Sequence, residues 1–120
     1  LGSFFSNKFG FEVACLRIGS CFPEPTNARM LVTWLSYGDL TRLVARCVLT
    51  GRVGCSVMWG ASNNARMTWW RNDAREAIGW MPRDSADPFA GQLSGAVSND
   101  PVEERYMGGA YCSFDYSRRE

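Results

Sequence analysis

Glu12-Val-Ala-Cys-Leu-Arg-Ile-Gly-Ser-Cys-Phe-Pro-Glu-Pro-Thr-Asn-Ala-Arg-Met30 is the stretch that decides how this chain is read. Its first seven residues are almost continuously apolar, the pattern of a strand buried on both faces of a parallel sheet. The polar segment from Arg17 to Met30 then connects this strand to a helix. A connection of this length in a compact domain is unusual unless it is disordered or holds a ligand. Pro23 and Pro25 fix φ on either side of Glu24 and push Phe22 and Glu24 toward extended geometry, so the loop is stiff rather than slack. Stiffness points to a binding loop.

Upstream, Leu1, Phe4, Phe5, Lys8 and Phe9 form the tail of an amphipathic helix stopped by Gly10. Downstream, Ser36 is an N-cap with Asp39 three residues on, and Leu40, Leu43, Val44, Cys47 and Val48 follow at helical spacing, which predicts a helix over Tyr37 to Leu49. Cys55 to Trp59 reads as a second buried strand ending at Gly60, so strand, helix and strand make a parallel crossover. Ser62-Asn63-Asn64 is turn chemistry. Thr68 is read as the cap of a helix whose inward face is Trp70, Ala74, Ala77 and Ile78, closing at Gly79. A short helix is expected near Ser85 to Leu93. Tyr106 to Tyr111 is read as extended, with Gly108 and Gly109 admitting a close backbone approach.

The chain has 120 residues, and its 13 basic and 12 acidic side chains alternate, leaving a net charge of +1 and no basic field for nucleic acid or anionic lipid. No apolar run approaches the roughly 18 residues of a membrane span, and the start lacks the features of a signal peptide. Five cysteines without C-x-x-C spacing argue for reduced thiols and against a thiolate metal site, which together place the protein in the cytoplasm. Cys15 and Cys47 fall on apolar faces and read as packing residues, with Cys21 the more accessible. The absence of histidine excludes Ser-His-Asp and Cys-His nucleophiles and histidine-ligated metals. Two or three strands do not complete a doubly wound sheet, so the chain reads as the C-terminal portion of a larger Rossmann-like α/β fold, with the dinucleotide-binding half absent.

Arg-Ile-Gly-Ser-Cys-x-Pro-Glu-Pro from Arg17, Asn-x-Arg-Met-Leu-x-Thr-Trp at 27 to 34, Ser-x-x-Asp-Leu at 36 to 40, Trp-Gly-Ala-Ser at 59 to 62 and the Trp69-Trp70 pair resemble the C-terminal half of bacterial uronate dehydrogenases, within the extended short-chain dehydrogenase and epimerase family. The resemblance runs from about Leu1 to Tyr111. It implies an NAD-dependent oxidoreductase that oxidises C1 of glucuronate or galacturonate to the aldarolactone and works as a homo-oligomer. It also implies that Ser20 and Arg29 contact the sugar acid, Arg29 through its carboxylate, that Tyr111 stands where the family places an aromatic, usually Phe, against the substrate, and that Cys21 lies beside the nicotinamide end of NAD. The family's Gly-rich turn and Tyr-x-x-x-Lys pair have no counterpart here: the sole lysine is Lys8, and no tyrosine precedes it by four. No catalytic residue is therefore assigned within the chain, which is expected to be inactive alone.

Read without the resemblance, Arg29 is a surface or loop-bracing residue, Ser20 a turn residue, and Cys21 a small filler. Two other readings stay open. One is a nucleotide-sugar epimerase or dehydratase of the same family, and the other is a non-catalytic regulatory protein built on a dinucleotide fold.

Overall fold

The computed structural model describes residues 1–70 and 73–114. Helix α1 (Gly2–Phe9) ends at Gly10, whose left-handed φ of 70° lets its N–H close onto the carbonyl of Ser6. Strand β1 (Val13–Ile18) runs parallel to β4 (Cys55–Gly60), with Val13 opposite Cys55 and Ile18 opposite Gly60. Between them, α3 (Tyr37–Leu49) is capped as its sequence requires: Ser36 Oγ accepts from Asp39 N at 2.9 Å. The expected strand, helix, strand unit is present.

Alternation along the two strands sorts their side chains. Ala14 and Leu16 of β1 and Met58 of β4 face a core completed by Leu35, Leu40, Leu43, Cys47, Ile78 and Trp80. The opposite face carries Val13, Cys15 and Arg17 beside Cys55, Val57 and Trp59. Helix α1 approaches it at one end, with Gly2 against Val13 and Cys15, and Trp70 stacks on Trp59 at the other. The molecule measures 47 × 41 × 20 Å, and a short axis of 20 Å leaves room for the sheet and about one helical layer. This corrects two expectations. β1 is not buried on both faces, and Cys15 is exposed, whereas Cys47 packs partly into the core as expected. Likewise Val44 and Val48 continue the apolar period of α3 yet are 44% and 77% exposed.

The long loop contains structure that its composition did not announce. Ser20–Cys21 form a short strand, β2, parallel to β3 (Trp34–Leu35), and Met30–Thr33 form one turn of helix, α2. A second small core of Met30, Leu31, Trp34 and Ala86, flanked by Phe89, Ala90 and Leu93, lies under this turn.

Helix α4 spans Asp73–Ile78. Trp69 and Trp70 are not helical, so Thr68 does not cap it, and Ala77 is exposed while Ile78 is buried; the side chain of Ala74 lies outside the described residues. A 3-10 turn (Asp87–Phe89) leads into α5 (Ala90–Leu93), matching the short helix expected near Ser85 to Leu93. Next come α6 (Pro101–Arg105), capped by Asp100, and α7 (Ala110–Ser113). The reading of 106 to 111 as extended is overturned. Gly109 sits at φ 57°, and Tyr111 N and Cys112 N donate back to Gly108 O and Gly109 O, which winds the segment into a turn. No helix among the described residues is long and apolar enough to cross a membrane.

Candidate functional site

At the carboxyl ends of β1 and β4 the chain opens a cavity of about 830 Å³. This is where parallel sheets expose strand ends, unpaired backbone and loop side chains to a ligand. Ser20, Cys21, Arg29 and Tyr111, all singled out in the sequence, line it together with Trp59 and Trp70.

The Gly-Ser-Cys sequence now has a physical reason. A Cβ on Gly19 would lie 2.1 Å from the carbonyl oxygen of Thr33, so only glycine lets β2 run this close to the α2–β3 segment. Gly19 N donates to Gly60 O at 2.9 Å, which ties the start of the loop to the end of β4. Ser20 Oγ then stands 2.8 Å from Thr33 Oγ1. The middle of the loop is anchored by Trp34 Nε1, which donates to Phe22 O at 2.9 Å, and by Ala28 N, which donates to Ala96 O at 3.0 Å. Asn27 Oδ1 accepts from Met30 N at 3.0 Å and so starts α2. The expected stiffness thus rests on hydrogen bonds as well as on the prolines.

Arg29 lies between the loop and the turn at 106–109. Its Nη2 donates to Tyr106 O at 3.0 Å and to Met107 O, and its guanidinium stacks over Trp69 at 5.1 Å from the ring centre. Gly109 is the close approach foreseen for the Gly108-Gly109 pair, because a Cβ there would come within 2.9 Å of Arg29 Nη1. Nε is buried and has no hydrogen-bond partner. Burial makes the charge of Arg29 harder to hold, and nearby Glu103 and Glu104 work against that effect. Cys21 is half-buried, and desolvation raises its thiol pKa, which favours the neutral form. Tyr111 reaches the cavity only at its rim, with 94% of its surface exposed.

Three features escaped the sequence reading. Trp59 and Trp70 stack at 4.7 Å with planes 11° apart, and Arg17 covers the Trp59 ring at 4.8 Å, as their opposed places on β1 and β4 allow. Thr33 stands in the motif at 27 to 34 but carried no assigned role. The third is the buried carboxylate of Asp39, foreseen only as part of a cap. Its oxygens accept from Ser62 Oγ at 2.7 Å, Arg42 Nη2 at 2.6 Å, Arg83 N at 2.8 Å and Asp84 N at 3.0 Å. Burial alone would raise the pKa of Asp39, but these hydrogen bonds outweigh it and the net shift is downward. Asn64, from the predicted turn, is a second hub: Nδ2 donates to Val32 O and Trp34 O, and Oδ1 accepts from Ala86 N. Together these groups hold α2 and β3 in place behind the cavity.

No protein-family model matches the chain. Among curated proteins it is similar to a uronate dehydrogenase of Pseudomonas putida, 42% identical over 113 residues, and to one of Agrobacterium fabrum, 40% identical over 114; each match takes in 92% of this chain. Among solved structures it superposes on a glucuronic acid dehydrogenase from Chromohalobacter salexigens at 39% identity and on the uronate dehydrogenase of Agrobacterium tumefaciens at 38%, both with a TM-score of 0.82 over 93% of this chain. A point mutant of the latter was solved in complex with NAD. The chain spans 42% of the length of the Pseudomonas putida protein and 43% of each of these two structures. Sequence and tertiary structure therefore agree that this chain is related to the uronate dehydrogenases and matches a part of their Rossmann-like fold.

Proposed function

We propose that this chain is the sugar-acid-binding portion of an NAD-dependent uronate dehydrogenase that oxidises C1 of glucuronate or galacturonate to the aldarolactone, acting in the cytoplasm as a homo-oligomer. The observation that carries the reading is Arg29, which lines the cavity and whose Nε is a buried donor without a partner. A buried donor without an acceptor is costly, and a ligand carboxylate oxygen would give this charged donor a charge-assisted hydrogen bond. Ser20 supplies a hydroxyl to the same ligand, and Tyr111 closes over it from the rim.

NAD, when bound, supplies the acceptor for the hydride leaving C1. Of that cofactor's site these residues fit one wall: Cys21, held neutral and half-buried at the end of β2, places no charge against a nicotinamide ring. The phosphate-binding turn and the proton-accepting tyrosine belong to the dinucleotide-binding half, outside these 120 residues. Within this portion, Arg29 orients the acid and the stacked Trp59 and Trp70 shield the cavity from water.

The test is NADH formation by the full-length enzyme with free glucuronate or galacturonate, and its absence with the 120-residue chain alone. Turnover of a nucleotide sugar without net NADH, and none of the free uronates, would instead establish the epimerase reading. NADH formation by the 120-residue chain alone would overturn the placement of the chemistry.

A further inference from the structure

Thr33 is 2% exposed and touches both residues assigned to the acid, Ser20 through its side chain and Arg29 through its backbone carbonyl. Its Oγ1 is 2.8 Å from Ser20 Oγ and 3.3 Å from the carbonyl oxygen of Arg29. A threonine hydroxyl has one proton, so it donates to one of these oxygens at a time; the Arg29 carbonyl can only accept, whereas Ser20 Oγ can either accept from Thr33 or donate to it. Its bond to Arg29 O is long and dispensable, because that carbonyl already accepts from Val32 N at 3.1 Å and Thr33 N at 3.2 Å. The bond to Ser20 is short, and it persists whichever hydroxyl donates.

We propose that Thr33 is a positioning residue for ligand binding, whose hydroxyl turns from the Arg29 carbonyl to Ser20 Oγ and so releases the Ser20 proton to an anionic oxygen in the cavity. The inference rests on the reading of Ser20 and Arg29 given above. Without an anion, Thr33 donates to Arg29 O and Ser20 donates to Thr33. With a carboxylate in the cavity both hydroxyls rotate, so that Thr33 donates to Ser20 and Ser20 donates to the acid. No O–H bond breaks; a 3.3 Å hydrogen bond is exchanged for a charge-assisted one. Gly19 makes the pairing possible by letting the backbone of Thr33 come close enough for the two hydroxyls to meet.

A double-mutant cycle in the full-length enzyme tests this, with the Kd for glucuronate read by calorimetry in saturating NAD. Thr33→Val keeps the shape and removes the hydroxyl; it should weaken glucuronate about tenfold, the worth of one hydrogen bond to a charged group. Ser20→Ala should weaken it comparably, and adding Thr33→Val to Ser20→Ala should cost nothing further, because Thr33 acts through Ser20. Thr33→Ser should bind nearly as well as the parent, and the Kd for NAD should not move in any variant. Additive losses, an unaffected Thr33→Val, or a Thr33→Ser as weak as Thr33→Val would each overturn the proposal. If Thr33→Val does not fold, Thr33→Ser against Thr33→Ala gives the same decision: equal affinities overturn it. Should Ser20→Ala itself leave glucuronate binding intact, the assignment of Ser20 to the acid fails as well. A loss in Ser20→Ala with none in Thr33→Val removes only the role of Thr33.

Discussion

Replacing Arg29 by methionine in the full-length enzyme separates a residue that reads the acid from one that braces a loop. The structure gives the arginine the contacts of a brace and leaves one of its donors over. Nη2 holds the carbonyls of Tyr106 and Met107, while Nε is buried without a partner in a residue that lines the cavity. A hydrogen-bonded arginine to carboxylate contact in a partly desolvated site is worth about 2 to 4 kcal/mol on truncation. The substitution should therefore lower kcat/KM for glucuronate by about 30-fold to 1,000-fold, each 1.4 kcal/mol being a factor of ten. The two released carbonyls belong to exposed residues and regain hydrogen bonds from water, so loosening of the 106–109 turn adds only a few-fold. That smaller loss is all a neutral aldose should suffer, since it has no carboxylate to pair. Arg29→Lys should recover part of the uronate activity, because a point charge lacks the planar fork and cannot keep the backbone contacts at the same time. NAD affinity should barely change. Steady-state kinetics with both sugars decide the matter: equal losses would mean that Arg29 only braces the turn, and the acid-binding assignment would fall.

Asp39→Asn places an amide nitrogen against N–H donors in the core and should destabilise the enzyme by about 3 kcal/mol in denaturant titrations. Because the folded state lowers the pKa of Asp39, its contribution is complete above the ordinary carboxylate range and fades as the pH falls through the lowered value; the asparagine variant should lack that acid-dependent part, and identical pH profiles would contradict it. Gly19→Ala would drive a Cβ into the carbonyl of Thr33, which cannot move without breaking β3, so a loss of about 3 kcal/mol or more, or failure to fold, is expected in thermal unfolding. The 120-residue chain by itself should associate as its concentration rises, through the open edge of β1 and the exposed Val57 and Ile18 beside it. A sharp, concentration-independent monomeric transition would refute this.

The sequence by itself determined the local decisions. Gly10 stops α1, Ser36 caps α3, and an apolar run, a helix and a second apolar run make a parallel pair, because caps, periods and breakers act within a few residues of one another. It also singled out Ser20, Cys21, Arg29 and Tyr111, which the fold gathers around one cavity, but it did so through resemblance; by residue chemistry alone the serine read as a turn and the arginine as a brace. What the tertiary structure decided is whatever depends on partners far along the chain. Arg29 meets carbonyls 77 and 78 residues away, and the carboxylate of Asp39 takes backbone donors 44 and 45 residues on, so neither leaves a local pattern to read. The period of α3 tells which side of the helix is apolar but not whether anything packs there, which is why Leu43 is buried while Val48 is not. The same limit explains the misread turn at 106 to 111: a glycine pair permits both an extended approach and a tight turn, and the guanidinium of Arg29 pressed against Gly109 selects the turn.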